Sequence, residues 1–186
     1  MKARRLLLKI TLVLMTIPLT ICACANGNAK IVVGMSYDQL GDFQDHCETD
    51  MGALTVRVYK WDDIYQVITL GDQWVVSGSA EFTPERKSYN AQGIEPLEER
   101  DDWERFLGMT VNEVEAELGE FHADIGSSSY MPSYVLNDGY LVCFDNVVPK
   151  DKSTRGEGIV DRIMIYDLFA TDSKIVKDYK SDTWGK

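Results

Sequence analysis

The chain has 186 residues, with 19 Lys and Arg against 30 Asp and Glu and a formal net charge of −11. A surface this acidic repels nucleic acid and anionic lipid headgroups, while it suits a basic protein partner, a cation or simple solubility. The length accommodates one domain or two small ones.

Lys2, Arg4, Arg5 and Lys9 lie around or ahead of an apolar run from Leu6 to Ile21, and no acidic residue precedes Asp38. This is the charged start and apolar middle of a secretory signal over residues 1–23, short for a bilayer-spanning helix of about 20 apolar residues. An uncleaved anchor is the competing reading. Ile21-Cys22-Ala23-Cys24 resembles the lipobox of bacterial lipoproteins, which implies an acyl anchor of the palmitate type on Cys24. Ala23-Cys24-Ala25 also fits ordinary cleavage after Ala25 and a secreted product. Each buried CH₂ of an acyl chain contributes about 0.8 kcal/mol, so several chains hold a domain at a membrane. Removing residues 1–23 takes away four of the 19 Lys and Arg and none of the 30 Asp and Glu, moving the charge from −11 to −15.

Residues 24–32 read as a tether and 33–83 as a first unit. Ser36 and Gln39 form a capping box behind Gly34-Met35, and Gly41 is placed to stop a short helix. Strand-like runs follow at Leu54 to Lys60, Ile64 to Leu70 and Gln73 to Ser77, with apolar residues continuing to Phe82. Residues 84–96, bounded by Pro84 and Pro96, read as a polar linker. Residues 97–170 read as a second unit with a leading helix from Leu97 to Leu107. Thr110 and Glu113 form its capping box behind Gly108-Met109, and Val111, Val114 and Leu118 make one apolar stripe that Gly119 ends. Tyr130 to Leu136 and Tyr140 to Asn146 flank the tight-turn sequence Asn137-Asp138-Gly139, and Ile159 to Leu168 supplies a third strand. Residues 171–186 read as a fraying tail that Ile175-Val176 and Trp184 would dock. The expected fold class is α+β, with tandem units of a helix plus a three-stranded antiparallel meander and the helices packed on one side of the sheet.

Gly108-Met109-Thr110, Glu113-Val114, Leu118 through Gly126, the tyrosine-rich strand and the Asn-Asp-Gly turn resemble the exported modules related to the beta-lactamase inhibitor protein. The same stretch is similar to the small lipoprotein of the outer-membrane protein assembly machinery. The resemblance covers Leu107 to Leu168 well and Val33 to Ser77 loosely. It implies a tandem unit with an antiparallel sheet, and its motifs are structural. Each inhibitor unit carries its own disulfide, whereas here each half has one cysteine.

Those cysteines, Cys47 and Cys143, would close one long-range disulfide in an oxidising compartment or else stay as separate thiols. His46 and His122 each follow a repeat phenylalanine and have acidic neighbours, and they read as a metal set with Cys47 and Asp124 or as hydrogen-bonded loop residues. No spacing makes a compact metal motif, and neither a cofactor nor a catalytic residue is expected. Trp61, Tyr65, Trp74, Tyr130, Tyr134 and Tyr140 are the candidate partner-binding residues, because aromatics offer large contact area at low entropy cost; sheet-core packing is the alternative for each. The expected function is a non-enzymatic, membrane-anchored module on the extracytoplasmic face that binds another exported or envelope protein. The alternatives are a structural component of an envelope complex, and a metal-dependent sensor or enzyme using His46, His122 and Cys143.

Overall fold

The computed structural model describes residues 30–51, 55–127, 130–152, 154–171 and 174–182. The signal, Cys24 and Trp184 lie outside them. Within them the chain forms two five-stranded sheets, each a meander in which every strand pairs antiparallel with its sequence neighbour. The first contains β1 (Cys47–Met51), β2 (Val56–Trp61), β3 (Ile64–Leu70), β4 (Val76–Phe82) and β5 (Ser88–Gln92). The second contains β6 (Ala123–Asp124), β7 (Pro132–Val135), β8 (Tyr140–Val147), β9 (Ile159–Asp167) and β10 (Ile175–Lys180).

The side-chain alternation of these strands determines how the sheets are covered. Val56, Val58, Val67, Ala80 and Phe82 project from one face of the first sheet and pack with Val135, Leu141, Cys143 and Leu168 from the second. Tyr59, Trp61, Ile68 and Leu70, on the opposite parity, pack with Ile31 and with Leu40 from a 3₁₀ helix at Tyr37–His46. Tyr134, Val142, Phe144, Ile163 and Ile165 face away from the first sheet and pack under Trp103, Phe106 and Val114. Val114 belongs to the single α-helix among the described residues, α1 (Val111–Leu118).

The α+β expectation, with helices on one side of a sheet, is therefore corrected. The protein is mainly β: two sheets stacked face to face, with short helical segments on the two outer surfaces. Both parities of β2 and β8 are apolar, so one helix layer cannot shelter both faces of a sheet, and each sheet covers the other.

The caps behave locally as their residues require. Thr110 Oγ1 accepts from the Glu113 N–H at 3.2 Å while the Thr110 N–H donates to Glu113 Oε2 at 2.7 Å. The Ser36 N–H donates to Gln39 Oε1 at 2.8 Å. The Gly-Met pairs ahead of these caps make matching backbone bonds to residues at the start of the fourth strand of each sheet, Val76 of β4 and Val160 of β9. Gly34 N donates to Val76 O at 2.9 Å and Val76 N to Met35 O at 2.8 Å, while Gly108 N donates to Val160 O at 2.8 Å and Val160 N to Met109 O at 2.9 Å.

Other segments differ from expectation. The first helix is a 3₁₀ helix that continues past Gly41 to His46. The leading helix reduces to one 3₁₀ turn at Trp103–Phe106, because Leu97 instead bridges Leu136 as extended chain. The presumed linker carries β5, and the tail carries β10, fastened to β9 by an Arg162–Asp178 ion pair at 2.8 Å.

Candidate functional site

Between β3 and β4 the chain turns through Gly71-Asp72-Gln73-Trp74-Val75, closed by the Gly71 N–H donating to Val75 O at 3.0 Å. Gln73 (φ 62°) and Trp74 (φ 56°) both lie in the left-handed region. A bulky residue there is an outlier, and each such residue costs about 1–3 kcal/mol that the surrounding structure must offset. The strain presents Trp74 to solvent, 49% exposed.

The support beneath Trp74 is layered. Its ring meets the Tyr37 ring edge to face at 5.5 Å. Tyr37 in turn lies under the Arg57 guanidinium at 4.9 Å and accepts a hydrogen bond from it at 3.0 Å. Arg57 is buried and pairs with Asp50 at 2.9 Å. An aromatic anchor on rotamer-locked neighbours is the arrangement that holds a binding surface ready without a contact of its own.

Trp74 and Gln73 stand between two surface clefts. One, of about 510 Å³, is bordered by Tyr37 and Asp38. The other, of about 600 Å³, crosses to the second sheet and is bordered by Asp72, Phe121, His122, Asp124 and Tyr130. Its floor is tied across the sheets by Thr55 Oγ1 donating to Asp124 O at 2.8 Å. A third cleft of about 370 Å³ continues past His122 and Glu120 to Glu95 and Ile94. Asp38, Asp72, Glu95, Glu120 and Asp124 border the three, and no Lys or Arg is among their lining residues. Behind the first cleft Arg57 sits against Tyr37 and is paired with Asp50, and at the second the exposed Arg155 lies 3.8 Å from Asp124 and 5.5 Å over the Tyr130 ring.

His122 divides the second and third clefts. Nδ1 accepts the Val135 N–H at 3.0 Å, which requires a neutral ring. Burial lowers its pKa to about 4, against an opposing contribution from the Glu95 backbone. It therefore acts as a neutral brace at the margin of the second sheet.

The six predicted aromatic residues separate into distinct environments. Trp74 is the exposed one, and Tyr130 is half-buried at the cleft wall, edge-on to Phe121 at 6.3 Å. Trp61 is buried: its Nε1 donates to Gln66 Oε1 at 3.1 Å and its ring stacks on His46 at 4.4 Å. Tyr134 is fully buried, with its hydroxyl donating to Gly119 O at 2.6 Å. Tyr65 and Tyr140 belong to an inter-sheet clamp. Tyr65 stacks on Phe169 at 4.2 Å, and Arg86 lies 4.7 Å over Tyr140 while pairing with Asp167 at 2.8 Å. The partner-surface expectation is thus corrected for Trp61 and Tyr134, whose side chains are committed to packing.

Of the two readings for the cysteines, the structure has the separate thiols: Cys47 and Cys143 are both free. Cys47 packs on the outer core of the first sheet, whereas Cys143 faces the core between the sheets. His46 lies with Trp61 on the first sheet's outer face, apart from His122 beside Tyr134. Among the described residues no three His, Cys, Asp or Glu side chains form a set that could hold a metal ion.

Comparison with protein-family models, with curated proteins and with solved structures finds no match. Among the described residues no helix is long and apolar enough to cross a membrane.

Sequence reasoning missed Tyr37, Phe121 and the strained Gln73. The sequence pattern predicts a strand from Gln73 to Ser77, whereas the strand starts at Val76; nothing in Gln73-Trp74 marks two consecutive left-handed residues, because neither residue type favours that conformation.

Proposed function

We propose that the protein is an exported module, tethered by a lipid on Cys24, that binds another exported or envelope protein through the sandwich end carrying Trp74. The observation that carries this reading is the half-exposed Trp74, held out by two strained residues over the Tyr37–Arg57 support and between two clefts. Large exposed aromatics on a fixed support are the residue class that dominates interface energetics. The resemblance to exported modules related to a protein inhibitor points in the same direction. An assembly component of an envelope complex would use the same surface toward a permanent neighbour.

A photo-crosslinking residue placed at Gln73 in cells tests the surface. A discrete protein adduct should form there, disappear in the Trp74→Ala background, and be absent when the crosslinker replaces Asp62 at the opposite end of the sheet. An adduct indifferent to Trp74, or none at all, overturns the reading. The tether is tested separately by metabolic acyl labelling. Loss of label in Cys24→Ala is expected, and an unlabelled native chain cut after Ala25 contradicts it.

A further inference from the structure

Resting on that reading, we infer that the partner segment is an extended, arginine-rich stretch of chain, with one guanidinium stacked on Trp74 and flanking cations facing the acidic cleft borders. Two features fix its chemistry. Trp74 offers a solvent-facing indole, the best ring for a cation, and the protein already uses guanidinium stacking at Arg57 on Tyr37 and Arg86 on Tyr140. Around it, Asp38 and Asp72 border the two clefts that share Trp74, and Glu120 continues the line beside Asp124, whose carboxylate already accepts the Gly126 and Met131 N–H groups and faces Arg155 at 3.8 Å; no Lys or Arg lines either cleft.

The shape indicates the backbone. The clefts follow one another past Gln73, Trp74 and His122, forming a shallow path across the end of both sheets instead of one deep cavity. A folded domain cannot enter such a path closely, whereas an extended chain lays alternate side chains into it. Arginine is favoured over lysine because its planar group both stacks on indole and pairs bidentately with carboxylate.

The test uses the full-length protein in a non-ionic detergent and three fluorescent octapeptides alternating threonine with arginine, citrulline or glutamate, followed by anisotropy. The arginine peptide should bind at least about tenfold more tightly than its citrulline isostere, the scale of one desolvated cation–π contact with an ion pair. Trp74→Ala should remove about that factor, while Trp74→Phe should keep most of it. Asp38→Asn with Asp72→Asn should weaken binding more than Asp101→Asn with Glu104→Gln, a pair of exposed sites that removes the same charge elsewhere. Equal loss in the two double variants would reduce the effect to net charge and overturn the inference. A citrulline or glutamate peptide that binds as well as arginine, and needs Trp74, overturns the cationic partner while leaving the binding surface standing. If no peptide binds but Gln73 still crosslinks in cells, the arginine-rich class again falls alone. If neither occurs, both readings fall.

Discussion

Gly139 shows how much a single position can require. It closes the β7–β8 turn with φ 79°, its N–H donating to Leu136 O at 3.1 Å, and a Cβ built there would lie 2.5 Å from the Phe169 ring. Gly139→Ala therefore combines a left-handed penalty with displacement of a ring that stacks on Tyr65 and lies beneath Arg86. A loss of about 2–3 kcal/mol is expected in urea denaturation, and an unchanged midpoint would contradict the close approach. His122 makes a different demand. Its folded pKa is lowered from 6.5 to about 4 by burial. Between those values the unfolded chain takes up a proton that the folded ring refuses, so the contribution is fully present above about pH 6.5 and lost as pH falls toward 4. At about 1.4 kcal/mol per unit, the shift from 6.5 to about 4 amounts to roughly 3–4 kcal/mol. Stability of the native protein should fall more steeply than that of His122→Gln over this window, and parallel curves would show that the ring does not titrate there. Both residues stood out in the sequence, Gly139 by its turn and His122 by its rarity. The first function was legible because turns are local. The second was not, since the Val135 N–H reaches the ring from a strand thirteen positions away.

The same division between local and distant causes governs the elements. Capping boxes at Ser36 and Thr110 and the hairpin ends at Ile64, Leu70 and Tyr140 are set by neighbours a few residues apart, and the sequence marks them well. Thr110→Ala should cost about 1 kcal/mol in thermal unfolding, and a neutral result would mean α1 is held by packing alone. The misread elements are those whose partners are remote. β5 is mostly exposed and polar and gains its place from pairing with β4, with Ser88 N also donating to Asn137 O of the second half at 3.2 Å. β10 reads as a loose tail until Arg162 and Asp178 pair across the strands. Neither strand has an apolar stripe strong enough to announce it, because edge strands keep one side in water. The Trp74 turn belongs with these. Trp61 and Trp74 are one residue type near strand ends, and only the Gln66 partner of one and the strained backbone of the other separate core from surface.

The whole molecule is decided by the sheet contact. The helices expected from sequence cover one face of a sheet, but β2 and β8 are apolar on both parities, and alternation has no means of naming the second cover. The answer joins the halves: Phe82 and Val58 of the first sheet share a core with Leu141 and Cys143 of the second. Thr49 Oγ1 donating to Ala170 O at 3.3 Å, Thr55 to Asp124 and Arg86 to Asp167 add polar ties at its margins. Residues that share a desolvated core cannot lose one half without exposing the other, so the two sheets should melt together. Cys143 measures this directly. Its thiol is buried in that shared core, and burial pushes its pKa up to about 12, so it is neither accessible nor ionised in the folded protein. Reaction with a thiol reagent at neutral pH must wait for the sheets to separate. Phe82→Ala, in the first sheet, should lower stability by about 3–5 kcal/mol and accelerate labelling of Cys143 in the second by a matching factor. Two separate melting transitions, or Cys143 labelling untouched by the change at Phe82, would mean that the halves open independently and that the shared core does not couple them.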